Sequence, residues 1–203
     1  EWCNSNGPKW TKVVYLMTIK INADTSDGLK LVSDTSGIIE IQANGTKSNN
    51  ISFTGRIVQT VNVQTGAVAT GTTLIPTDDT IPQKTEGVEY MTLAITPTHA
   101  SNKLKIEVTV FMASFGVTRL TTCLFQDDTA NGLAAVQTVT TGNGYEEIHS
   151  FSHFMAAGTT DETTFKVRAG SNTSGTTTFN GTAGARRYGG TAGSSITITE
   201  IAV

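Results

Sequence analysis

The chain has 203 residues, room for one β domain of ordinary size and a smaller attachment. Charged residues make up 15% and the formal net charge is −3, with the few bases scattered, which argues against a general nucleic-acid or anionic-membrane binder. No apolar run approaches the length of a membrane span, so membrane insertion is not expected either.

Threonine, at 37 residues, and glycine, at 20, set the fold class. Both disfavour helix; threonine suits a pleated strand and glycine a tight turn, so the expectation is an all-β protein with no helix beyond one or two turns. Aromatic residues are only 7%, low for a lectin that stacks sugars on tryptophan. The chain starts at Glu1, so a processed product or a fragment of something longer is expected. Cys3 and Cys123 are far apart in sequence, and no disulfide is expected between them; in its strand context Cys123 reads as a small buried hydrophobe.

Residues 1–54 read as a lead-in and a β stem. The first twelve residues carry Trp2 and Trp10 without periodicity and are read as a partner-docking segment. A strand follows in which Tyr15, Met17, Ile19 and Ile21 share a face. Glycines then recur at Gly28, Gly37, Gly45 and Gly55, with Leu29 and Leu31, Ile39 and Ile41, and Ile51 and Phe53 between them. Each unit has too few apolar side chains to bury them alone, so stacking is expected, on one another or against copies in other chains, and a multi-chain stem is favoured over an irregular meander at the edge of the head.

Residues 55–203 read as a compact head. Strands are predicted at 56–63, 89–95, 103–111, 118–126, 135–140, 147–155, 163–168, 176–179 and 195–201. Leu104, Ile106, Val108 and Val110 alternate with Lys103, Lys105, Glu107 and Thr109, the pattern of a strand with one dry and one wet face. Links such as 97–102, 127–132 and 141–144 have turn chemistry. Short strands at this spacing predict an antiparallel β-sandwich of jelly-roll type.

Four stretches carry a family resemblance. Gly28 to Gly37 followed by Ile39 to Thr46 (GLKLVSDTSG, then IEIQANGT) resembles a stem segment of tailed-phage fibre and virion structural proteins. The head resembles the C-terminal β-rich head of such fibres in its opening strand (GRIVQTV, Gly55 to Val61), a middle signature (ITPTHASNKL, Ile95 to Leu104) and the closing one (SSITITEIA, Ser194 to Ala202). Residues 1–22 lie outside the resemblance. It implies a β-rich homotrimer, located in the virion and assembled in the host cytoplasm, that contacts other virion proteins and binds a glycan or protein on a host surface. The rival reading is a capsid decoration, head fibre or tail adaptor that contacts only virion proteins.

The candidate binding residues lie in glycine-rich loops. Arg186, Arg187 and Tyr188 sit in the run GARRYGG, where directional donors and a ring project from a flexible backbone. The competing reading pairs one arginine with an acid across a trimer interface, with Tyr188 packed beneath. Asn143 and Tyr145, in a glycine-bounded turn, are a second pair of candidates. No catalytic residue, cofactor or metal is expected. His149 and His153 are four residues apart on one strand face, too far for one ion to bridge, and read as surface or interface histidines. The adjacent acids Asp78-Asp79, Asp127-Asp128, Glu146-Glu147 and Asp161-Glu162 sit at turns or strand starts, where carboxylates stay solvated or cap amides.

Overall fold

The computed structural model describes Lys30–Ser33, Ile39–Ala43, Thr46–Lys47 and residues 54–203. The chain divides into two compact units, Glu1–Ile51 and Ser52–Val203. In the first, β1 (Lys30–Ser33) pairs antiparallel with β2 (Ile39–Ala43), and β2 with β3 (Thr46–Lys47). The strand expected around Tyr15, and both Trp2 and Trp10, lie outside the described residues.

The second unit contains β4 (Ile57–Thr65), β5 (Ala69–Gly71), β6 (Val88–Ile95), β7 (Lys103–Ser114), β8 (Arg119–Gln126), β9 (Ala134–Val139), β10 (Glu146–Ala156), β11 (Thr163–Ser171), β12 (Thr177–Phe179), β13 (Gly181–Thr182), β14 (Ala185–Arg186) and β15 (Ser194–Ile201). One sheet runs β4-β15-β7-β10 and the other β6-β11-β8-β9, all antiparallel. Numbering the eight long strands in sequence gives the orders 1-8-3-6 and 2-7-4-5, the jelly-roll connectivity of two interlocked Greek keys. All nine strands predicted for the head are present. Their inward rows form one core between the sheets. Leu104, Ile106, Val108, Val110 and Met112 from β7 face Phe165 and Val167 from β11, Leu120 and Leu124 from β8, and Met91 and Ile95 from β6. Burying each of these side chains contributes about 2 kcal/mol. In β6 an extra residue, Tyr90, bulges out of register between Met91 and Glu89 and stacks on Phe179 with ring centroids 4.7 Å apart.

The long connection from β5 to β6 straps across the outer face of β8 and β11. Ile75 N–H donates to Ser171 O, Gly87 N–H donates to Leu74 O, and the Arg168 guanidinium donates to the Glu86 and Gly87 carbonyls. Gly170 is required here because a Cβ would stand 2.5 Å from Thr73 O. The strap gives the sandwich a second, smaller core of Ile75, Cys123 and Phe125, all at most 1% exposed. Cys123 is a free thiol, and burial pushes its pKa up to about 12.

One edge of β7 is shared by two strands. β15 covers Lys103 to Thr109 and β12 covers Met112 to Ser114, so a seam falls at Val110 and Phe111. Side chains bridge it. Phe111 N–H donates to Ser194 Oγ at 2.9 Å, Ser194 Oγ donates to Asn180 Oδ1 at 2.7 Å, and Asn180 Nδ2 donates to Thr65 O at 2.8 Å and Ala67 O at 3.1 Å. Asn180 and Ser194 are both fully buried. Asn180 also holds φ +55°, a left-handed conformation that asparagine tolerates better than most residues. Residues 181–193 are thereby thrown out of the sheet as a loop.

At the opposite end Glu200 pins the domain. Its carboxylate accepts from Asn102 Nδ2 (2.6 Å), Gln59 Nε2 (2.6 Å), Thr98 N–H (2.9 Å) and Thr98 Oγ1 (2.8 Å). Burial opposes its ionisation, but these donors outweigh burial and hold the carboxyl below the usual range. All three signature stretches of the head meet at this one carboxylate.

Asn180→Ala should destabilise the domain by about 3 kcal/mol, because it orphans the Thr65 and Ala67 carbonyls and places alanine at positive φ. Denaturant unfolding should show a lowered midpoint at unchanged slope. Combining it with Ser194→Ala should cost clearly less than the sum of the two single losses.

Candidate functional site

The sandwich has two ends, separated by the roughly 36 Å length of β7. The chain enters the domain at Gly55, whose N–H donates to Ala202 O, beside the 96–102 link and Glu200. The other end gathers the loops 66–68, 115–118, 140–145, 172–176 and 181–193. Every described candidate residue, Asn143, Tyr145, Arg186, Arg187 and Tyr188, lies at this second end.

The two candidate loops are tied together by Glu146. Its Oε1 accepts from Thr182 Oγ1 at 2.6 Å and from Arg187 Nε at 2.9 Å. The Thr182 hydroxyl, and after it the Arg187 guanidinium, hold the Glu146 carboxyl below the usual carboxylate range against the effect of its partial burial. Arg187 thus has an acid partner within its own chain and acts as a strut between loops. Arg186 is exposed in β14. Within the single chain Tyr188 is 81% exposed, the most of any large hydrophobic side chain among the described residues. The backbone presents it. Tyr188 holds φ +46° and Gly189 and Gly190 hold +66° and +94°, a tight reversal closed by Gly190 N–H donating to Arg187 O. Gly66 and Gly190 let this turn lie against the 66–68 loop, since a Cβ on Gly66 would collide with Gly190 O.

Sequence reasoning missed Phe115 and Val117, 64% and 70% exposed in the β7–β8 turn. Their signal was the break in alternation after Met112, where the β strand pattern stops pointing side chains into the core. Phe115 borders a recess of about 440 Å³ whose other lining residues include Ser114, Thr176, Thr178 and Gly184. Ser114 is 3% exposed and its hydroxyl has no hydrogen-bond partner.

His149 corrects the expectation of a surface or interface histidine. It is 1% exposed between the sheets, its Nδ1 2.8 Å from Thr122 Oγ1 and its Nε2 2.9 Å from Thr138 Oγ1. β10 turns its odd-numbered residues inward, so the same alternation that exposes Ile148 buries His149. Burial pushes its pKa down to about 4, leaving a neutral ring. Among the described residues no group of three or more His, Cys, Asp or Glu side chains could hold a metal ion. The paired acids are spent locally: Asp78 accepts from Thr80 N–H, Asp127 accepts from Thr163 Oγ1 and Thr164 N–H, and Asp128 faces Lys84 and Lys166.

No protein-family model matches the chain, and no curated protein matches it. Solved structures give distant likenesses. A structure of the infectious bursal disease virus Gx strain aligns at 10% identity over 86% of this chain and 41% of that one, with a TM-score of 0.36. The infectious bursal disease virus VP2 subviral particle aligns at 9% identity over 87% and 42%, TM-score 0.29. The enzymatically active domain of bacteriophage CBA120 tailspike protein 4 aligns at 16% identity over 62% and 19%, TM-score 0.25. The chain thus spans about two-fifths or less of the length of these proteins. With every one of these scores below 0.5, the fold assignment rests on the strand order itself.

Two measurements test this geometry. Glu146→Ala should speed amide exchange across 181–190 by about tenfold while moving the melting temperature by no more than about 3 °C, since a half-exposed ion pair contributes little to global stability. His149 should weaken the fold in acid. Its ring pKa is lower folded than unfolded, so stability is complete above pH 6.5 and falls as pH drops toward 4, by roughly 3 kcal/mol. His149→Gln should flatten that part of the pH–stability profile.

Proposed function

We propose that this protein is a non-enzymatic virion structural protein, a homotrimeric fibre or spike segment whose loop end binds a component of a host surface. The carrying observation is spatial. Loops far apart in sequence, bearing Phe115, Val117, Tyr145 and Tyr188 as exposed apolar side chains, converge on the end remote from the chain's point of entry at Gly55. An exposed apolar cluster beside a strutted loop is what a contact surface needs. Three such ends on one trimer would bind with avidity from individually weak contacts. The stem supplies the argument for the trimer, because its units carry too little apolar surface to be dry alone.

A second reading, a decoration or adaptor contacting only virion proteins, is favoured by the outer face of β10. There Ile148 and Phe154 are 66% and 57% exposed on a face shared with Ser150 and Ser152 and, across the strand pair, with Thr109, Glu107 and Lys105, an apolar pair set among polar side chains.

Light scattering should give three times 21.4 kDa; a monomer would overturn the trimer. Arg187→Ala combined with Tyr188→Ala should reduce binding to host cells by tenfold or more, with no release of oligosaccharide from host polysaccharide by the unaltered protein. Cell binding that survives this pair of changes would remove the loop end from the contact. Capture by purified capsid that is lost in Ile148→Ser with Phe154→Ser would select the second reading.

A further inference from the structure

We infer that the loop 183–189 is a cleavage site for a trypsin-class protease, cut between Arg186 and Arg187, and that the head stays assembled after the cut. Such a site changes the chain itself and needs no host-surface ligand. Arg186-Arg187 is the one adjacent pair of basic residues in the sequence, and it falls in the loop that the seam throws clear of the sheet.

Local opening decides first. A protease must draw the residues on both sides of the cut into an extended strand. Residues 183–189 are exposed without a break, the longest such run in 54–203, so drawing them out uncovers no core. Ala183 and Tyr188 hold φ +52° and +46°, and straightening the loop relieves both. Position decides next. The other basic residues of the head are fixed along their backbones. Lys103, Lys105, Arg119, Lys166 and Arg168 lie in β7, β8 and β11, Arg56 O accepts from Ala202 N–H, and Lys84 N–H donates to Ala130 O. Arg186 is tied only by the two-residue pairing of β14 with β13, and among the described residues its guanidinium meets no carboxylate. Arg187 is held by Glu146 at 2.9 Å. Arg186 is therefore the side chain free to enter an acidic specificity pocket. Hydrolysis breaks the peptide C–N bond; water gives its hydroxyl to the Arg186 carbonyl carbon and its other hydrogen to the Arg187 nitrogen.

The cut piece stays because both ends of the break are anchored without the broken bond. Glu146 Oε1 holds Thr182 on one side and Arg187 on the other, and Ser194 is bonded to Asn180 across the seam. Beyond them β15 lies between β4 and β7, with Ile196 and Ile198 fully buried. A carboxylate and an ammonium then stand beside Tyr188, so one cut alters the exposed end permanently while the fold is kept.

Trypsin at low ratio to the whole chain, in native buffer, tests this. Intact-mass spectrometry places each cut and size-exclusion chromatography shows what stays together. Within 54–203 the bond after Arg186 should break first, at least tenfold faster than any other, and residues 187–203 should co-elute with the head until denaturant is added. Arg186→Gln should slow the first cut at least tenfold. Glu146→Ala, which frees the far side of the loop, should speed it about tenfold, since cleavage follows the population of the open loop. An earlier cut elsewhere in 54–203, a head that resists trypsin altogether, or release of 187–203 in native buffer overturns the inference. So does an Arg186→Gln chain cut at the unaltered rate, because the free guanidinium then does not select the bond. A Glu146→Ala chain cut no faster overturns opening of the loop as the step that admits the protease.

Discussion

The hydrogen bonds joining Asn180 and Ser194 to the broken edge of β7 are the interaction on which the loop end depends. A twelve-residue strand needs a partner along its whole length, and β15, eight residues long, leaves the last part of that edge bare. β12 fills it, but two strands meeting end to end leave backbone groups unpaired where neither reaches. Three side-chain donors and acceptors replace the missing ladder. Because the cluster is buried, an unmade bond there would carry the full cost of desolvation. The geometry that satisfies it also decides where residues 181–193 leave the sheet, and therefore where Tyr188 is shown.

The two ends of the sandwich divide the work. Glu200 makes one end rigid by drawing Gln59 from β4 and Thr98 and Asn102 from the 96–102 link onto a single carboxylate. The other end spends its polar contacts on holding loops to one another through Glu146, and leaves apolar side chains in water. The recess belongs to the exposed end. Phe115 and Thr176 meet there because β12 pairs antiparallel with the end of β7, Ser114 against Thr177.

Much of the head was legible. Alternation in Leu104 to Val110 and in Ile196 and Ile198 fixed strands and their dry faces, because side chains two apart on a strand must share a face. The clustering of Asn143, Tyr145, Arg186, Arg187 and Tyr188 was half legible: each loop stood out by its glycines, but nothing in the sequence shows that a turn at 143 and a loop at 187 meet. The pairing of Arg187 with Glu146, forty-one residues away, needs the fold. His149 was misjudged because a histidine in a strand of mixed polarity gives no sign of which face is dry; the hydroxyls that satisfy it come from β8 and β9. Strands as short as β5, β13 and β14 have no periodicity to read.

By itself the sequence determined what depends on local chemistry: threonine and glycine in place of helix formers, two-residue alternation, turn residues between runs, hence an all-β head of short antiparallel strands. Only the tertiary structure decided what depends on long-range contact. The order of strands in the two sheets, the seam at Asn180, the convergence of β4 and the 96–102 link on Glu200, and the meeting of Phe115 with Thr176 around one recess all join residues that are distant along the chain. Alternation tells a strand which face is dry, but the identity of the neighbour that makes it dry is a property of the whole packed domain.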